Sequence, residues 1–163
     1  MIKIAWFISD NHFNHKNIIQ YCNRPFKNVE EMDEYMIEMW NFVVGINDTV
    51  YHLGDFSFNL NFKEIKALVS KLNGSIILIQ GNHDRKGVNY FKKCGFVEVY
   101  KKKIVIGNYI LSHRPLNENL IPEGFLNIHG HIHNYGYPKN TNREKYINVS
   151  CEILNYKPIW IDC

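Results

Sequence analysis

Nine residues of types that bind metal ions or move protons stand in five short clusters: Asp10 with His12, Asp55, Asn82-His83-Asp84, His113, and His131 with His133. Each follows an apolar run that belongs in a core. SIILIQ leads through Gly81 into Asn82-His83-Asp84, and VYHL leads through Gly54 into Asp55. Seven of the nine, Asp10, His12, Asp55, Asn82, His113, His131 and His133, offer carboxylate, amide and imidazole donors with no thiolate. That set suits manganese, iron, zinc or similar first-row divalent ions, nickel and cobalt among them, rather than calcium or a structural cysteine zinc. Seven donors exceed the needs of one tetrahedral ion. They suit two ions sharing a carboxylate, about 3.5–4 Å apart, which can clamp both the attacking and the leaving oxygen of a phosphate ester.

The elements that must position these clusters are legible as apolar periodicity. Strand-length runs rich in Ile and Val recur at Ile2–Ile8, Val50–Leu53, Ile76–Ile79, Ile104–Ile106, Tyr109–Leu111, Phe125–Ile128, Tyr146–Val149 and Ile159–Ile161. Between the first two, Met32, Tyr35, Met36, Met39, Trp40 and Val43 fall on one face of a helix, and Phe62, Ile65, Leu68, Val69 and Leu72 mark a second, ended by Asn73-Gly74. Strand, helix, strand, helix, strand predicts right-handed crossovers and parallel pairing. VYKKKIVIGNYILSH then reads as a hairpin turning at Gly107-Asn108, with Lys101–Lys103 on a solvated strand face. The expected fold class is α/β, strand-rich in its second half. Five strands thus deliver polar residues at their carboxyl ends, where open α/β sheets bind ligands. Gly54, Gly81 and Gly130 precede three of these residues, at places where a missing Cβ permits close backbone approach.

Bulk properties bound the rest. A chain of 163 residues with 45% hydrophobic and 21% charged residues fits a single domain over 1–163. A formal charge of +3 is too small to argue for a nucleic-acid or membrane partner. The opening MIKIAWFI is too short for a signal segment or a membrane span. Cys22, Cys94, Cys151 and Cys163 share no CxxC spacing and read as free thiols, so a cytoplasmic setting is expected.

The ordered string DxH at Asp10 and His12, GD at Gly54-Asp55, GNHD at Gly81–Asp84, His113, and GHxH at Gly130–His133 resembles the calcineurin-like metallophosphoesterase superfamily. SDNHFNHKNIIQYCNRPF and VYHLGDF are similar to its small single-domain bacterial and phage members. The resemblance implies a sandwich of two mixed β-sheets flanked by α-helices. It implies one ion on Asp10, His12 and His133, a second on Asn82, His113 and His131, and Asp55 bridging them. It also implies His83 as proton donor, oriented by Asp84. The reading that follows is a phosphodiesterase acting on a small phosphate ester, manganese foremost, with hydroxide formed on the ions as nucleophile and His83 as general acid. The rivals are a monoesterase, a nuclease or nucleic-acid-end phosphatase, or a metal-binding scaffold without catalysis. The sequence shows neither a basic groove nor an aromatic stacking platform for nucleic acid. His15, Arg24, Arg85 and Arg114 are candidate phosphate contacts, whereas His52 and His129, inside strands, read as core histidines.

Overall fold

The computed structural model describes residues 4–162; Ile2, the predicted start of the first strand, and Cys163 lie outside the described residues. In chain order the elements are β1 (Ile4–Ile8), α1 (Ile18–Tyr21), α2 (Val29–Val43), β2 (Thr49–His52), α3 (Phe62–Val69), β3 (Ser75–Ile79), α4 (Val88–Cys94), β4 (Glu98–Tyr100), β5 (Ile104–Ile106), β6 (Tyr109–Ser112), β7 (Leu126–His129), β8 (Tyr146–Asn148) and β9 (Ile159–Asp162). They form two mixed sheets, ordered β4-β3-β2-β1-β9 and β5-β6-β7-β8, flanked by helices. The first four strands of one sheet run parallel, with β9 antiparallel to β1. In the other sheet β5 and β6 make the predicted hairpin, and β6, β7 and β8 run parallel.

The two long predicted helices form for the reasons their sequences suggest. Asn28 caps α2 by accepting from the Glu31 N–H, and Met32, Met36 and Trp40, one turn apart, are fully buried. Each such side chain contributes roughly 1.5–3 kcal/mol by leaving water. Asn61 and Glu64 close a reciprocal capping box on α3. This helix stops at Val69 rather than Leu72, although Leu72 still packs in the core. The sequence reading passes over α1, α4 and β4. The reason is length: α4 buries only Phe91 and Cys94 before Gly95 ends it in a left-handed conformation, too few positions to establish a helical period. Lys101–Lys103 is corrected in consequence. These exposed lysines are not on a hairpin strand; they carry the chain from β4 in one sheet to β5 in the other.

What this topology does for the site is to stack two sets of parallel strand ends against each other. Ser9, just past β1, and Ser150, just past β8, pair as an isolated parallel bridge, with Ser9 N–H donating to Val149 O at 2.8 Å and Cys151 N–H to Ser9 O at 2.9 Å. The carboxyl ends of β1, β2 and β3 therefore meet those of β6, β7 and β8. The junction is tight. A Cβ on Gly130 would overlap the Ser9 hydroxyl and the Asp10 carboxylate, and one on Gly81 would overlap the Asp55 carboxylate and backbone. Gly81→Ala should accordingly destabilise the protein by about 1–3 kcal/mol, the usual cost of overpacking, and displace the Asp55 carboxylate. Chemical denaturation checks the first effect, and metal content after dialysis checks the second. A variant of unchanged midpoint that keeps its metal would show that the two loops have room to part.

Candidate metal centre

The parallel strand ends bring the seven predicted donors together by way of unusual backbone. Asp10, His12, Asp55, His131 and His133 all have positive φ, between 47° and 70°. Among the other described non-glycine residues in that region, all but Tyr156 are asparagines, the residue type that tolerates it best. The resemblance assigns His131 and His133 to different ions, although two positions apart on an extended strand their side chains would face one side. β7 ends at His129, and the two left-handed turns beyond it send the rings to different partners.

Two triads of ligand atoms result. Atoms of Asp10, His12 and His133 lie within 4.8 Å of one another, and so do atoms of Asp55, His113 and His131. Asp55 Oδ2 stands between them, 3.5 Å from His12 Nε2 and 3.4 Å from His113 Nε2. Asn82 Oδ1 is 3.0 Å and His131 Nδ1 3.2 Å from His113 Nε2, so the second set closes around one point. The spare atoms of these side chains are spoken for. Asp55 Oδ1 accepts the His83 N–H, Asp10 Oδ2 accepts the His131 N–H and the Ser150 hydroxyl, and His113 Nδ1 donates to Leu53 O. The opposite atoms, Asp10 Oδ1 and His12 Nε2, are buried without a partner. Buried lone pairs with no donor are costly, and a divalent cation on the Asp10 side of Asp55 Oδ2 would satisfy them, while the second set offers its donors around one point on the other side. The donor set therefore fits two ions, one on Asp10, His12 and His133, the other on Asn82, His113 and His131.

Electrostatics divide the imidazoles into two kinds. Burial holds His12 down to about 2, and burial with the His113 charge holds His131 down to about 4, so both present neutral lone pairs. Burial would lower His133 as well. Hydrogen bonds from its surroundings, Cys22 and Glu152, with the charge of Asp10, override it and push the group up to about 10. His113 is raised against its own burial by the Asp55 hydrogen bond and the charges of Asp10 and Asp55. Burial likewise opposes ionisation of Asp55, but hydrogen bonding and charge from His113, the His83 N–H and His12 hold its carboxyl below the usual range.

Other candidates are placed differently. Asp84 is corrected: its carboxylate does not touch the His83 ring but accepts the N–H groups of Asp55, Phe56 and Gly81, pinning the β2 loop to the β3 loop. Arg24 is corrected as well. Its guanidinium is buried, donating to Asp10 O, Asn11 O and Glu152 Oε1, so it braces the β1 loop and does not reach a substrate. His15 is buried, stacked on Phe58 at 4.0 Å, with Nδ1 3.1 Å from His12 Nδ1. When His12 Nε2 is a ligand its Nδ1–H donates to His15, which fixes the tautomer of both rings. Arg114 is exposed and close enough for its charge to lower His131, and Arg85 is exposed beside Asn82, donating to its carbonyl. His83 borders the cleft with Nε2 4.0 Å from Asp55 Oδ2. His52 and His129 are core histidines, bonded to Asn11 and Tyr137.

Glu152 is the residue the sequence reading missed. It follows β8, the one parallel strand of the second sheet whose end went unread, and accepts from His133 Nδ1 at 3.0 Å while pairing with Arg24. The cleft over the donors, about 270 Å³, is lined by His12, His15, His83, His131 and His133 and walled by Ile18, Tyr21, Cys22 and Tyr135.

A parallel-ended α/β sandwich with this donor set is the architecture of one class of hydrolase, and a family profile of calcineurin-like phosphoesterases matches residues 5–162. The chain belongs to that family, whose members use divalent metal ions to hydrolyse phosphate esters. It is 44% identical to protein MJ1445 of Methanocaldococcus jannaschii over 162 residues, 96% of this chain and 86% of that one. Among solved structures, AQ665 of Aquifex aeolicus superposes with a TM-score of 0.74 at 28% identity, over 96% of this chain and 95% of that one. The nuclease MPE of Pseudomonas putida shares the fold, with a TM-score of 0.54 at 19% identity, over 79% of this chain and 61% of that one.

The pKa directions have a measurable consequence. Protein stripped of ions carries a proton on His133 that loading must expel, because a ligand lone pair cannot also hold a proton. Below the His133 value of about 10, raising the pH removes a competing proton, so affinity for the ion on Asp10, His12 and His133 should climb about tenfold per pH unit. Titration calorimetry in buffers of different ionisation enthalpy checks this. Loading without proton release at neutral pH would show the His133 imidazole neutral beforehand.

Proposed function

We propose that the protein is a cytoplasmic two-ion phosphodiesterase in which His83 protonates the leaving group. The observation that carries this reading is Asp55 Oδ2 standing between two ligand sets, with unpartnered lone pairs at Asp10 and His12 on one side. Two divalent ions, manganese foremost, would supply a water of lowered pKa and neutralise charge on the phosphoryl group. Every other part belongs to the chain. Asp10, His12 and His133 hold one side, Asn82, His113 and His131 the other, and Asp55 spans both with a single oxygen while its second oxygen is fixed by the His83 N–H. That bond also sets where the His83 ring stands. Its edge lies against His12 at a ring separation of 5.1 Å and against Phe58 at 5.5 Å, and its Nε2 faces the cleft above Asp55. Asp84 supports this placement through the backbone and not by contact with the ring, since it ties Gly81 to Asp55. Arg114, exposed beside His131, is suited to a phosphate oxygen that faces outward. The buried free thiols Cys22, Cys94 and Cys151 accord with a reducing compartment. No helix among the described residues is long and apolar enough to cross a membrane.

A second reading, action on nucleic acid, is favoured by one observation. Tyr21 and Tyr135, 114 positions apart in sequence, meet at the cleft mouth, where the Tyr135 hydroxyl donates to Tyr21 O and both rings are mostly exposed. Stacking of a base on such a ring is worth about 1–3 kcal/mol. The fold neighbour from Pseudomonas putida is itself a nuclease.

An alkoxide leaves poorly unless protonated as the P–O bond breaks, whereas a nitrophenolate needs little help, and general acid catalysis is worth about 10² to 10⁴ in rate. His83→Gln should therefore keep both ions and slow an alkyl or nucleoside diester by about that factor, while slowing a nitrophenyl ester of equal charge far less. Steady-state rates on the paired substrates, with metal content measured alongside, check this. Equal slowing of both esters would move His83 from the leaving group to the phosphoryl oxygens, and loss of metal would make it a structural support. Chelated protein that still hydrolysed either ester would overturn the two-ion reading itself.

A further inference from the structure

His133 is the donor whose ring is contested from both sides. Its Nε2 lies 3.8 Å from Asp10 Oδ1 in the first ligand set, while its Nδ1 is 3.0 Å from Glu152 Oε1. The Cys22 sulfur comes within 4.8 Å of the same imidazole. Atoms of Cys22, His133 and Glu152 lie within 4.8 Å of one another, a third cluster as compact as the two around Asp55. Glu152 has a side chain 4% exposed, and its two oxygens are unequally used. Oε1 accepts from Arg24 Nε, Arg24 Nη2 and His133 Nδ1, whereas Oε2 is buried with no partner. Cys22 also lines the cleft, so the cluster is reached from solvent by the route a substrate would take.

We propose that Cys22, His133 and Glu152 form a third metal site, selective for thiophilic divalent ions such as cadmium or zinc, whose occupation excludes the ion held by Asp10, His12 and His133. The proposal rests on the two-ion reading above. Selectivity comes from the sulfur: neither set around Asp55 contains one, and a soft thiolate favours zinc or cadmium over manganese. The Cys22 thiolate and the Glu152 carboxylate supply the negative charge facing the ion, with Glu152 shared between the ion and Arg24, and Arg24 keeps its bonds to Asp10 O and Asn11 O. Exclusion comes from the imidazole, since a neutral ring has one lone pair. With the ion of the Asp10 set in place, Nε2 gives its lone pair to that ion and Nδ1–H donates to Glu152. Occupation of the third site deprotonates the Cys22 thiol and moves the ring proton from Nδ1 to Nε2. The thiol proton goes to solvent, Nδ1 and the thiolate sulfur each give an electron pair to the incoming ion, and the ion on Nε2 is released.

Cadmium chloride titrated into manganese-loaded protein tests this with two readouts besides activity: the ultraviolet thiolate-to-cadmium absorbance, and free manganese by electron paramagnetic resonance. The absorbance should saturate near about one equivalent of cadmium, with about one equivalent of manganese released in step. Cys22→Ser and Cys22→Ala should lack the band and keep their manganese over the same cadmium range. No band in the parent protein, a band that persists in both variants, or a band without manganese release would each overturn the site or its exclusivity. Parent protein that takes up no manganese before cadmium is added would instead overturn the two-ion reading, and a Cys22-dependent band would still report the third site by itself.

Discussion

Holding side chains in left-handed backbone costs an L-residue about 1–2 kcal/mol each, and five of the seven donors are held that way. Much of the buried polar structure serves that constraint. A left-handed residue at the end of a strand breaks the ladder and leaves backbone groups in the interior that need partners. Arg24 takes the carbonyls of Asp10 and Asn11, Asp84 takes the N–H groups of Asp55, Phe56 and Gly81, and His52 and Asn11 bond each other beneath. Backbone strain of this kind persists where the surroundings over-determine it, and it concentrates at functional sites.

The same constraint explains why the site is asymmetric. The Asp10 side is deeply buried: Asp10 and His12 are almost wholly enclosed, and behind His133 lie Glu152, Arg24 and Cys22. The Asp55 and His113 side opens through Asn82, which is exposed, and His131, which is half-buried and feels the charge of Arg114. An ester would therefore approach from the His131, His83 and Tyr135 face, with the buried half acting as a fixed floor. Preorganised charge in a water-poor floor is worth more than the same charge in solvent, because it needs no reorganisation during reaction.

Glu152 shows how one carboxylate can serve several ends. Its Oε1 neutralises Arg24, which holds the Asp10 loop, and accepts from His133, which belongs to the same ligand set. Backbone brace and ligand tautomer are thus coupled through a single oxygen. Breaking one partner of such a buried pair would leave an uncompensated charge, the most destabilising change available to it.

The sequence by itself determined the chemistry and the strands that carry it. Apolar runs ending in Asp10, Asp55, Asn82, His113 and His131 announced strand ends bearing donors, because a run of Ile and Val must be buried and a polar residue that follows it needs a partner there. It also carried the family, through five short motifs in fixed order. What it could not carry were relations between residues far apart in the chain. The joining of the sheets at Ser9 and Ser150, the meeting of Tyr21 with Tyr135, and the burial of Arg24 against Glu152 across 128 positions depend on how two sheets stack, and periodicity within a segment is silent on that. The family motif assigned His131 and His133 to different ions, but the left-handed backbone at both, the His131 N–H donating to the Asp10 carboxylate and Glu152 holding the His133 ring belong to the tertiary structure, because those contacts exist only once the strand ends have met.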